Sequence, residues 1–64
     1  MQPIVIGQVW QHVNTQYQVI VKDVENKIVV VEDLTDQSIF YDTVFNFVAE
    51  HKLIKESYFS ATSH

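Results

Sequence analysis

Sixty-four residues, 47 % apolar and 12 % aromatic, bound the chain to one small domain with a core rather than a disordered segment. The absence of Cys excludes a disulfide framework and a thiolate zinc site. Eight carboxylates against four lysines and no Arg give a net charge of −4, which argues against phosphate-rich partners. No apolar run reaches the roughly 18–20 residues that span a bilayer. The amino terminus lacks the basic region and apolar stretch of a secretion signal, so the expected setting is the cytoplasm.

Pro3 and Gly7 bracket a short apolar lead-in, Ile4 to Ile6. A first strand is expected from Gln8 to Val13, turned by Asn14-Thr15 into a second from Gln16 to Val24. Glu25-Asn26 closes the next hairpin, with Asn26 suited to a left-handed backbone. The third strand reads KIVVVED from Lys27 to Asp33. Alternate side chains of a strand point to opposite faces, so Ile28 to Val31 make this one apolar on both. A simple open sheet with one wet face does not want that; closure, a cap or a second chain is expected to cover the outer face. Leu34 to Gln37 then turns the chain into a fourth strand, Ser38 to Tyr41.

After Asp42 the period changes. Val44, Phe47 and Val48 share one helical face, and Asp42 or Thr43 can cap its start, which predicts a helix over 43–51. The competing reading is one strand from Ser38 to Val48, but its apolar pairs alternate poorly at period two. Leu53 and Ile54 make a short last strand. Residues 1–56 thus form one domain, with 57–64 expected to be a flexible tail.

Five short strands, tight turns and one helix before the last strand predict a mainly β fold, an antiparallel meander curled into a small barrel. Gly7-Gln8-Val9-Trp10 opens the first strand, Tyr17-Gln18-Val19 the second, and FVAEHKLI closes the chain. In these segments the layout resembles the Src-homology-3-like family of small barrels, which includes Tudor-like modules and short bacterial or phage proteins. The basic loops and glycine-rich turns of the nucleic-acid-binding branches are missing, so no family site residue carries across. The resemblance implies binding of extended peptides on exposed aromatics.

Candidate partner-binding residues are Trp10, Tyr17, Phe40 and Tyr41. Trp10 shares a strand face with Gln8 and His12, the more polar side of its strand, which leaves its ring available to a partner; the alternative is a core Trp donating its indole N–H to a backbone carbonyl. Phe40 and Tyr41 are adjacent, so one faces the core and the other faces out. Tyr41 beside Trp10 would make a patch for a proline-rich or methylated-lysine ligand.

Chemistry has little to work with. His12, His51 and His64 lack metal-ligand spacing. No Cys nucleophile exists, Ser57, Ser60 and Ser63 fall in the tail, and Ser38 has no nearby His. Phosphate-cradling Gly loops are absent, and so small a chain is not expected to enclose a pocket of the ~300 Å³ that small molecules use. No catalytic residue, metal, cofactor or small-molecule substrate is expected.

The expected function is a non-enzymatic interaction module that binds a protein partner or a second copy through an apolar, aromatic surface. Two alternatives use other chemistry. One is a nucleic-acid accessory protein stacking bases on aromatics, with only Lys22, Lys27, Lys52 and Lys55 for phosphates. The other is an acidic nucleic-acid mimic of phage type, built on Asp23, Glu25, Glu32, Asp33, Asp36 and Asp42; as turn residues, these carboxylates are explained by solvation alone.

Overall fold

The computed structural model describes residues 3–57. Five antiparallel strands and one helix follow in order: β1 Val9–His12, β2 Gln18–Glu25, β3 Ile28–Asp33, β4 Ile39–Thr43, α1 Val44–Glu50 and β5 His51–Lys55. They form one open sheet in the order β4-β3-β2-β1-β5. The first four strands are a meander, and α1 carries the chain from one edge of the sheet to the other.

Turn chemistry sets the register. Glu25 pairs with Ile28, so the β2–β3 loop is the two-residue Asn26-Lys27, both at positive φ (52° and 66°). That is the backbone a two-residue hairpin turn requires. Asn26 takes the expected left-handed conformation; Lys27 takes it too, which shifts the turn one residue along from Glu25-Asn26. At the next turn, Asp33 Oδ1 accepts from Thr35 N and Asp36 Oδ1 from Ser38 N, while Gln37 supplies a φ of 62°. Gly7, at φ 96°, turns the lead-in onto β1; a Cβ there would meet nothing, so the conformation itself is what favours glycine.

Cross-strand pairs share a face, and the pairs Trp10–Val19, Trp10–Leu53 and Val21–Val31 gather one apolar surface. A bulge between Val21 and Asp23 opposes Val30 and Val31 with one extra residue in β2. It keeps both Val21 and Val24 on the inner face and bends the strand. Phe47 of α1 closes over Trp10, Val19, Val21, Val29 and Val31; Ile4, Tyr17, Val24, Val44, Val48 and Leu53 pack around them.

The expected helix is real but shorter: it ends at Glu50, and His51 is already strand. Thr43 is the cap, its Oγ1 accepting from Asn46 N at 3.1 Å. The last strand runs longer than Leu53-Ile54 because His51 and Lys52 pair with His12 and Gln11. The competing strand from Ser38 to Val48 does not form, as the helix reading required.

Both faces of Ile28–Val31 were expected to be covered, and only one is. Val29 and Val31 are fully buried, whereas Ile28 and Val30 remain half-buried. The outer face stays partly wet because its neighbours on β4, Ile39 and Tyr41, are themselves exposed. Most of the expected tail lies outside the described residues.

Candidate functional site: an apolar outer surface and a buried aromatic file

The register divides the candidate residues between two faces. Trp10 is only 3 % exposed, so it is a core residue and not a recognition surface. The polar companions on its face explain the reversal. Gln8 and His12 turn inward with it, and the indole Nε1–H donates to Gln8 Oε1 at 3.0 Å, a side-chain acceptor in place of a backbone carbonyl. Phe40 and Tyr41 point to opposite faces as expected. Tyr41, 75 % exposed, lies outside opposite Val30, and Phe40, 36 % exposed, lies inside opposite Val31. Trp10 and Tyr41 therefore occupy different faces and form no joint patch.

Inside, the rings form a file. Trp10 meets Phe47 edge-on at 5.3 Å, Phe47 stacks on His51 at 4.1 Å, and His51 meets the His12 edge at 5.0 Å. His12 stacks on Tyr17 at 5.1 Å, and Tyr17 reaches Phe40 at 6.4 Å. Tyr17 is half-buried, and its phenol pKa is raised by burial first, then by Glu50, Asp33 and Asp42. His12 Nδ1 accepts from the backbone N–H groups of Asn14 and Thr15, which pins the β1–β2 turn. His51 Nδ1 lies 3.0 Å from the Phe47 carbonyl, which can only accept, so Nδ1 carries the proton. His51 Nε2 is buried without a partner among the described residues. No group of three metal-ligating side chains occurs among those residues.

Burial lowers the His51 pKa from its usual 6.5; the Phe47 carbonyl raises it, His12 lowers it, and Glu50 and Asp42 raise it. A second proton would go to the buried, partnerless Nε2. Unfolded His51 binds a proton more readily than folded His51, so stability present above pH 6.5 is lost as pH falls through the folded value. Urea midpoints are expected to drop from about pH 7 to about pH 5, and less in His51→Phe, which keeps the stack on Phe47. Equal pH slopes in the two proteins would contradict this. The exposed Asp36 carboxyl, lowered by its Ser38 hydrogen bonds, titrates below 3.8 and does not enter that window.

Outside, the exposed apolar residues converge. Ile39 (58 % exposed), Tyr41 and Phe45 (78 %) flank the half-buried Ile28 and Val30. Asn26, Lys27, Ile28, Thr43, Val44 and Phe45 line an apolar surface groove of about 430 Å³. This hollow exceeds the ~300 Å³ that small molecules use, but it lies open at the surface. A second hollow of about 380 Å³ adjoins it at Asn26 and Ile28, rimmed by Asp23 and Glu25. Sequence reasoning missed Phe45 and Ile39. Phe45 sits one step off the Val44–Phe47–Val48 stripe, and that offset is the sequence signal for an outward ring.

The chain matches no family model, no curated protein and no solved structure. No helix among the described residues is long and apolar enough to cross a membrane.

Proposed function

We propose that the chain is a Src-homology-3-like small barrel acting as a non-enzymatic interaction module, which binds a protein partner or a second copy through its apolar outer surface. The meander, the helix before β5 and the pairing of β5 with β1 support the family reading, with the sheet left open between β4 and β5. One observation carries the function: Phe45, Tyr41 and Ile39 stand exposed around half-buried Ile28 and Val30, beside an apolar groove. Small soluble domains scatter exposed apolar residues singly, and a contiguous group marks an interaction site. The Asp23 and Glu25 rim favours a partner segment that sets an apolar side chain beside basic residues. An aromatic anchor in a hollow is the residue type that dominates protein interfaces.

A photo-crosslinking residue at position 45 tests this in extract of the native host. A discrete protein adduct is expected from position 45 and not from position 15, on the β1–β2 turn. Excess unlabelled chain should compete it away, and Phe45→Ser should compete about tenfold less well, the scale of a lost interface anchor. Equal adducts at the two positions, or equal competition by Phe45→Ser, would sink the proposal.

A further inference from the structure

The free edge of β4 has chemistry of its own. Asp33 N–H donates to Ser38 C=O, and Val44 N–H donates to Lys27 C=O. Between these two points the antiparallel ladder alternates, so Phe40 and Asp42 turn their backbone groups toward β3. Ile39, Tyr41 and Thr43 turn theirs outward. The Thr43 N–H is taken by Asp42 Oδ1. Ile39 and Tyr41 thus present two N–H and two C=O groups on an edge that no strand covers among the described residues.

The stretch of this edge from Ile39 to Tyr41 also carries no guard. Lys and Pro are the residues that usually blunt strand edges. The opposite edge strand, β5, carries Lys52 and Lys55, while β4 reads IFYDT with neither. Two of its three leading side chains, Ile39 and Tyr41, are largely exposed, and the third, Phe40, is partly so.

We infer that the chain dimerises by pairing β4 with β4 of a second copy, antiparallel about a twofold axis at Phe40. The inference rests on the interaction-module reading and names the second copy as an occupant of the edge. The register follows from the free groups. Centring on Phe40 places Ile39 opposite Tyr41 of the partner copy and Tyr41 opposite its Ile39. All four free groups on each chain are then used, in four intermolecular hydrogen bonds. Phe40 faces Phe40 of the partner copy in the closer, non-hydrogen-bonded position, where aromatic cross-strand pairs are stabilising. Asp42 falls opposite Ser38 of the partner copy, not opposite its own counterpart, and Ser38 already donates to Asp36. Centring on Tyr41 instead would pair Ile39 with Thr43, whose N–H is already spent. The isologous arrangement closes at two copies and produces a ten-stranded sheet, not a fibre.

Sedimentation of the full chain from about 10 µM to about 500 µM is expected to show the mass doubling from 7.5 kDa. Over the same range, hydrogen exchange at the Ile39 and Tyr41 amides should slow by at least about tenfold while that of Asp42 changes little. Tyr41→Pro removes an N–H that the β3 ladder does not use, and Pro is tolerated at such edge positions. Ile39→Lys adds the missing guard at an exposed site. Both variants are expected to stay monomeric with β-sheet circular dichroism intact; should Tyr41→Pro not fold, Ile39→Lys together with the Ile39 and Tyr41 amide protection of the wild type decides. A wild type that stays monomeric throughout overturns the inference and leaves the position-45 crosslinking result standing. A dimer that survives in Ile39→Lys, or one with Ile39 and Tyr41 unprotected, overturns the β4 edge while keeping self-association through another surface.

Discussion

Phe47→Ala is expected to remove a third or more of the chain's stability at 25 °C. Truncating a buried Phe costs about 3–5 kcal/mol, through lost transfer energy and the cavity left behind. A 64-residue domain has roughly 3–10 kcal/mol in total. The position makes the upper end of the cost apt. Phe47 is the one fully buried residue of a seven-residue helix, and a helix that short has no stability of its own in water. Its ring contacts Trp10 on one side and His51 on the other, so the substitution breaks the aromatic file and uncovers Val19, Val29 and Val31 together. Urea titrations followed by far-ultraviolet circular dichroism and Trp10 fluorescence measure it, with Phe47→Leu as a control expected to lose about 1–2 kcal/mol. A loss below about 1 kcal/mol in Phe47→Ala would mean that the helix is not the lid of this core.

Strand existence was legible in the sequence because β-branched runs, turn residues and a change of period are local signals. Ile28–Val31 had to be strand, and Val44, Phe47 and Val48 had to share a helical face. Facing was harder to read. Trp10 has the same face as Gln8 and His12, and polarity alone assigns that face to solvent. The assignment fails because each polar neighbour finds a local partner: Gln8 holds the indole, and His12 caps its own turn. Satisfied polar groups are cheap to bury, and a linear sequence does not display which ones are satisfied. The outer surface was hidden for a different reason. Ile39, Tyr41 and Phe45 come together only once the β3–β4 register and the start of α1 are fixed, and register depends on turn geometry to the single residue. The shift of the β2–β3 turn from Glu25-Asn26 to Asn26-Lys27 is an error of that kind.

Gln8→Leu is the substitution with the next largest expected effect, although it replaces a polar residue with an apolar one of similar size in the core. Gln8 is almost wholly buried, and its Oε1 accepts from both Trp10 Nε1 at 3.0 Å and Val5 N at 2.8 Å. Its Nε2 makes longer bonds to Pro3 C=O at 3.4 Å and Glu56 Oε1 at 3.3 Å. One side chain therefore joins the lead-in, β1 and the segment after β5. Leucine fills the volume but leaves two donors without an acceptor, at ~1–3 kcal/mol for each group that stays dry. A loss of about 2–4 kcal/mol is expected, since the Val5 N–H lies nearer the surface and can recover a water. The cause is separable from packing. In a Trp10→Phe background the indole donor no longer exists, so the cost of Gln8→Leu should shrink by about 1–2 kcal/mol. Gln8→Glu keeps both acceptors but sets a carboxylate against Glu56. It should destabilise near neutral pH, and adding Glu56→Gln should recover much of the loss. If Gln8→Leu costs the same with and without the indole, the hydrogen bond is not what holds Trp10 inward, and the burial of this face rests on shape alone.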